Sequence, residues 1–171
     1  MKLTDYQFCP QCASPLQGQG SETDRRRCVA EGCSFVAWGN PTPVVAVLCI
    51  QNDAVLLAHN VTFPPGVIAP IAGFVEAGED PAHTARREVL EELSLKVETL
   101  DLLGVFPFAH QNQVIIGYAA KVSGEVVLNE ELDSYKWVEL SKLKAWDFGT
   151  GAVVAALLAE KAQGRLSHLF S

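Results

Sequence analysis

The segment Gly73–Leu95, GFVEAGEDPAHTARREVLEELSL, constrains this chain more than any other. Asp80 followed by Pro81 reads as a helix start, a capping carboxylate ahead of a proline at the first helical position. From there Ala82, Ala85, Val89 and Leu93 recur at helical spacing, so one stripe of the helix is apolar and needs a core. Glu88, Glu91 and Glu92 then fall at i, i+3 and i+4, directly behind Arg86-Arg87, within an arc of roughly 100° of helix surface. Like charges at these spacings repel and destabilise a bare helix. A bound cation would relieve that repulsion, and an all-oxygen ligand set favours a hard ion, Mg²⁺ or Mn²⁺, over Zn²⁺. The same run also suits a solvated helix face, and spacing alone does not decide between the two.

The surrounding residues carry more. Gly73, Glu79, Arg87, Glu88, Val89, Glu91, Glu92 and Leu95 stand at the intervals of the Nudix box, which this segment resembles. Ser94 departs from that pattern, standing where the family has Gly. The helix is expected to end there in a left-handed residue, which Ser can adopt at a cost of roughly 1–2 kcal/mol. The resemblance implies an α/β fold, an α/β/α sandwich around a mixed sheet, over about residues 42–163. It also implies hydrolysis of a nucleoside diphosphate linked to another group, with a divalent metal. Glu88, Glu91 and Glu92 are then metal ligands, the backbone at Gly73 can add a carbonyl, and Arg87 with Glu79 forms an ion pair that orients the helix. A further ligand or base is expected six residues before a tryptophan. Here Glu131 precedes Trp137 by that interval, with its neighbour Glu130 as the rival and a plain solvated loop as the other account.

The five cysteines count as four plus one. Cys9-x2-Cys12 and Cys28-x4-Cys33 have the short-paired spacing of a four-cysteine zinc site, while two disulfides would use the same residues. A reducing compartment favours zinc. Cys49, inside the apolar run VVAVLCI, reads as a small buried hydrophobe. Residues 1–38 have almost no aliphatic periodicity, so a unit of that size would draw its folding free energy from the metal. Asn40-Pro41-Thr42-Pro43 is a stiff junction, and the domain that follows is expected over residues 42–171.

Beyond the junction, 44–50 and 54–60 read as strands joined by a hairpin at Gln51-Asn52-Asp53, and 67–75 as a third apolar segment. After the acidic helix come strands around 97–107 and 113–122, a polar stretch at 129–136, a short strand WVEL, and an apolar-periodic helix at 151–163. Strands surrounding two helices suit a sheet with a helix on each face.

A four-cysteine ribbon ahead of a Nudix domain resembles the NADH pyrophosphatase subfamily. The stretch VFPFAHQNQ (105–113) occupies the place of a dinucleotide-holding motif of that subfamily, and only Pro107 matches it. Phe106, Phe108, His110 and Gln111 are candidates for a stacking and hydrogen-bonding wall around a nucleoside, or else pack a strand end. The expected substrate is a small nucleotide derivative, NADH, NAD⁺ or ADP-ribose. The alternatives are a nucleotide sugar, a dinucleoside polyphosphate, an RNA cap, or a nucleotide-sensing module without catalysis. A net charge of −7 and a pI of about 5 argue against a general nucleic-acid binder, and Arg25-Arg26-Arg27 beside the ribbon read as solubilising, with a grip on phosphate as the other account. No apolar run reaches membrane-span length and the N-terminus lacks a secretory pattern, so the expected address is cytoplasmic. The resemblance suggests a homodimer.

Overall fold

A computed structural model describes residues 6–18 and 25–170. They form two compact units. One comprises the described residues up to Thr42 together with Phe108–Gln113; the other comprises Pro43–Pro107 and the described residues from Val114 onward. Sequence pattern placed a boundary at residues 38–42 but assigned 108–113 to the larger unit, because local periodicity says nothing about which distant segment a short connection packs on.

The smaller unit is a three-stranded antiparallel ribbon of β1 (Leu16–Gln17), β2 (Arg26–Cys28) and β3 (Val36–Ala37), with Leu16 opposite Cys28 and Arg26 opposite Ala37. Its core is only Cys9, Leu16 and Ala37, with Tyr6, Cys28, Cys33 and Phe35 packed against them. So small an apolar cluster cannot offset the entropy of ordering the segment without a covalent or metal staple. All five cysteines are free thiols, and the near pairs Cys9–Cys33 and Cys12–Cys28 stand 3.7 and 3.4 Å apart, beyond disulfide bonding.

The larger unit is built on β4 (Thr42–Gln51), β5 (Ala54–Asn60), β6 (Ile71–Phe74), β7 (Lys96–Phe108), β8 (Gln113–Ser123) and β9 (Leu132–Glu139), with helices α1 (Pro81–Leu93) and α2 (Gly151–Ala162). The strands make a mixed six-stranded sheet in the order β7-β8-β4-β5-β9, with β6 also paired to β4. In β4 every residue from Val44 to Ile50 is buried, which is why that strand reads as one unbroken apolar run: both of its faces are covered. Val45, Val47 and Cys49 share a core with Ala85, Val89 and Leu93 of α1 and with Tyr118, Ala120 and Val122 of β8. The opposite face meets α2, where a Cβ added at Gly117 would fall 2.6 Å from Val153 Cγ1. Helices on both faces of a mixed sheet give the expected α/β/α sandwich.

Two strands differ from the sequence pattern. β6 is confined to Ile71–Phe74, since Pro70 cannot donate to a ladder and Ala69 keeps only an isolated bridge to Ala58. β9 begins at Leu132 and pairs along β5, although residues 133–136 are all exposed. An edge strand with polar residues on both sides lacks the alternation by which a strand is recognised. Among the described residues no helix is long and apolar enough to cross a membrane.

Candidate active site

Helix α1 starts and stops where its sequence says it should. The Asp80 carboxylate accepts hydrogen bonds from the backbone N–H groups of Ala82 and His83 at 2.9 and 3.0 Å, ahead of Pro81. At the other end Ser94 takes the left-handed conformation, φ 57°, and its N–H closes on the Leu90 carbonyl at 2.9 Å. Between these ends Ala85, Val89 and Leu93 are fully buried. Burying each of the two larger side chains is worth about 1.5–3 kcal/mol, enough to fix the rotation of the helix about its axis.

That rotation grades the exposure of the three glutamates. Glu92 shares the buried stripe and is 5% exposed; with Thr84 it makes up the buried polar side chains among the described residues. Glu88 is also largely enclosed, whereas Glu91 is exposed. Gly73, opposite Val45 in the β4–β6 pairing, makes room for Glu88: a Cβ there would lie 2.0 Å from Glu88 Oε1. The glycine is required because the carboxylate lies directly against β6.

Burial drives the Glu92 carboxyl up to about 8, and the charges of Glu88, Glu131 and Glu91 push it the same way. Glu88 is also raised, chiefly by burial. Arg87 opposes this. Its Nε and Nη2 donate to the two Glu79 oxygens at 2.9 and 3.1 Å, and its Nη1 reaches Glu88 at 2.8 Å and Glu91 at 3.0 Å. The two-pronged bond from Arg87 holds the Glu79 carboxyl down at about 2, helped by the Thr84 hydroxyl and the Glu76 N–H. One guanidinium, bidentate on Glu79, thus meets Glu88 and Glu91 of the arc as well, three carboxylates with a single charge. The donor set left short of positive charge is made of carboxylate oxygens, the chemistry a hard divalent ion requires.

Glu131 reaches this cluster from outside the helix. The N–H groups of Val127 and Asn129 donate to the Leu93 and Glu92 carbonyls at 2.9 and 3.2 Å, which ties this connection to the end of α1. Asn129 Oδ1 then accepts from the Glu131 N–H at 3.0 Å, just before β9. Of the two adjacent glutamates, Glu131 is the one whose charge lifts Glu92. A recess of ≈ 40 Å³ beside Glu92 is lined by Asn60, Phe63, Pro70, Ala72 and Leu132. Asn60 and Phe63 escaped sequence reasoning, since a two-proline loop after a strand carries no motif; only their place at the end of β5 could have pointed to them.

The four aromatic and amide candidates separate. Phe106 packs against Gly117 on the α2 side of the sheet, the face opposite the acidic arc. Phe108 and His110 stack on each other within the smaller unit, centroids 6.2 Å apart and 24° between planes, and Gln111 closes the 3₁₀ turn Ala109–Gln111 there.

In that smaller unit the sulfurs of Cys9, Cys12, Cys28 and Cys33 all lie within 4.8 Å of one another. A tetrahedral ion bonded to four thiolates at about 2.3 Å sets its sulfurs about 3.8 Å apart. Cys9–Cys33 at 3.7 Å and Cys12–Cys28 at 3.4 Å are close to that spacing. The backbone N–H of Ser14 lowers the Cys12 thiol, while burial and the neighbouring thiols raise Cys28 and Cys33, so the four sulfurs share their protons unequally. These four cysteines could hold a metal ion.

Comparison with known proteins bears on both units. The family model described as NUDIX domain matches residues 40–157. A protein of Pseudomonas aeruginosa named NAD-capped RNA hydrolase NudC is 36% identical over 140 residues, 80% of this chain and 49% of that one. Its namesake in Mannheimia succiniciproducens is 32% identical over 139 residues, 77% of this chain and 52% of that one. The chain thus spans about half the length of the curated relatives it matches. Among solved structures, a NUDIX hydrolase from Nitrosomonas europaea superposes with a TM-score of 0.75 at 24% identity, covering 93% of this chain and 94% of that one, which shows the shared fold.

Proposed function

The chain belongs to the NUDIX domain family, and we propose that it is a metal-dependent pyrophosphohydrolase that cleaves the diphosphate of a NAD-type dinucleotide or ADP-ribose. One observation supports this reading: Glu92 is buried, and the charges of Glu88, Glu131 and Glu91 add to the cost of ionising it, a cost that a bound cation would relieve. A binding module with no chemistry to perform has no use for so costly an arrangement.

Glu88, Glu91 and Glu92 would hold Mg²⁺ or Mn²⁺, joined by the backbone at Gly73. Such an ion, when bound, supplies neutralisation of the diphosphate and acidification of a water. The chain's own residues do the rest. Arg87 and Glu79 lock the helix against the Glu76–Glu79 turn, so that Glu88 and Glu91 keep their mutual placement. Glu131 accepts a proton from the attacking water, its carboxylate brought in by the Asn129 tie to the end of α1. The enclosed side of the cluster at Glu92 limits competing water. Cys9, Cys12, Cys28 and Cys33 would hold a structural Zn²⁺, which accounts for a ribbon with almost no core.

Relatives bearing the name NAD-capped RNA hydrolase keep RNA among the candidate substrates despite the acidic overall charge. The test is a panel of NADH, ADP-ribose and an NAD-capped oligoribonucleotide incubated with Mg²⁺ and analysed by mass spectrometry. Mononucleotide products from at least one member are expected. Intact phosphoanhydrides throughout the panel would overturn the proposal.

A further inference from the structure

The ribbon unit has a recess of its own, ≈ 300 Å³, at the lower end of the range for small-molecule sites. Its walls include the rings of Tyr6, Phe35 and Trp38 and the polar side chains of Asn40, Thr42 and Asn112. Asn112 Nδ2 shapes it by donating to the Gly39 and Asn40 carbonyls at 3.3 and 3.4 Å. Trp38 is 54% exposed, a large apolar surface left in water, and the Arg25 guanidinium sits 4.0 Å from its ring centroid. Arg26 and Arg27 continue the cationic run along β2. Arg26 Nη1 donates to the Tyr6 carbonyl at 2.6 Å, anchoring one wall, while Arg25 and Arg27 are exposed. Among its described residues this unit sets those three arginines against one carboxylate, Glu31, in a chain whose net charge is −7.

An exposed tryptophan backed by a guanidinium, hydrogen-bonding groups at the rim of a recess, and a short row of cations correspond to the three parts of an unpaired nucleotide. A base stacks on the ring and the guanidinium plane, its edge meets the polar wall, and the neighbouring phosphates meet the arginines. A duplex keeps its base faces stacked and offers only the last of these. We propose that the ribbon recess, centred on Trp38 and Arg25, is a binding site for single-stranded nucleic acid. The site stands apart from the hydrolase reading, because the recess can hold a strand whatever the acidic arc cleaves. It also gives the basic run at 25–27 a task that the acidic remainder of the chain cannot perform.

The test uses the full, zinc-loaded chain and a fluorescein-labelled single-stranded oligoadenylate, with binding read by fluorescence anisotropy at low salt. Trp38→Ala and Arg25→Ala should each weaken binding about tenfold. Trp38→Phe, which keeps a stacking face, should retain most of it. The logarithm of the affinity should fall with the logarithm of salt concentration at a slope of about −1.4 for the two exposed arginines, Arg25 and Arg27, in contact with phosphate. A duplex of the same length should bind far more weakly. Zinc content confirms that each variant is folded, and Arg25→Ala, at an exposed side chain, is the safeguard should Trp38→Ala lose zinc. Absence of oligoadenylate binding, wild-type affinity in Arg25→Ala, or equal binding of the duplex would each overturn the proposal. Hydrolysis of free NADH by Trp38→Ala is the control that separates the two readings, since its failure in the wild type bears on the acidic arc alone.

Discussion

Replacing Glu92 with the isosteric Gln should make the metal-free protein more stable at alkaline pH. In the folded chain burial and three neighbouring carboxylates lift Glu92 from 4.5 to about 8. The folded-state value lies above the unfolded one, so its stabilising influence is complete below about pH 4.5 and is lost as pH rises toward 8. At 1.36 kcal/mol per pKa unit, ionising this side chain costs the native state up to about 4 kcal/mol by pH 8. That is a ceiling, because clustered carboxylates share protons and lighten one another's burden. A neutral Gln avoids the cost at every pH. Glu92→Gln is therefore expected to match the wild type at pH 4 and to exceed it by about 1–4 kcal/mol at pH 8, a Tm difference of about 2–16 °C for a chain of this size. Thermal unfolding followed by circular dichroism, with a chelator present, measures it directly. Excess Mg²⁺ should close the gap from the wild-type side, since only the wild type keeps the full ligand set. A wild type at least as stable as Glu92→Gln at pH 8 in chelator would refute the reasoning that this carboxylate is held at an energetic disadvantage.

Other perturbations test separate parts of the structure. Ser94→Gly should stabilise by about 1 kcal/mol in a denaturant titration, because the cap sits at φ 57° where a side chain is strained. Glu79→Gln should destabilise at neutral pH, and the difference from wild type should shrink as pH falls from about 4.5 to 2, the window in which Glu79 loses the charge that Arg87 holds. Leu93→Ala should cost about 2–5 kcal/mol by leaving a cavity beneath α1, detectable as a lowered denaturant midpoint. Metal analysis should find one zinc per chain, lost in Cys12→Ser together with the near-ultraviolet signal of the ribbon aromatics.

Much of α1 was legible because its determinants are local. Asp80, Pro81 and Ser94 declare the ends of the helix, and Val89 and Leu93 its buried side, without reference to the rest of the chain. The hairpin at Asn52-Asp53 was legible for the same reason: both residues have positive φ, the conformation that these residue types tolerate. The graded exposure of the glutamates was not, because it depends on which strand α1 lies against and on Gly73 being free of a Cβ at that point. Nor could spacing show that residues 127–131 hang from the last turn of α1 and bring the charge of Glu131 to bear on Glu92. Phe106 illustrates the converse. A run of aromatics between two strands looks like a binding wall, yet strand alternation and the packing on Gly117 turn this ring to the far face of the sheet.

The central claim is that the carboxylates of α1 serve divalent-metal-dependent cleavage of a phosphoanhydride. The most direct measurement is the steady-state rate of NADH or ADP-ribose hydrolysis, whichever substrate the panel identifies, in wild type and Glu92→Gln across an Mg²⁺ titration. Mononucleotide release that is absent in chelator, saturates with Mg²⁺, and falls about a hundredfold or more in a folded Glu92→Gln protein is the expected result. Turnover that persists in chelator, or that survives undiminished in Glu92→Gln, would contradict it.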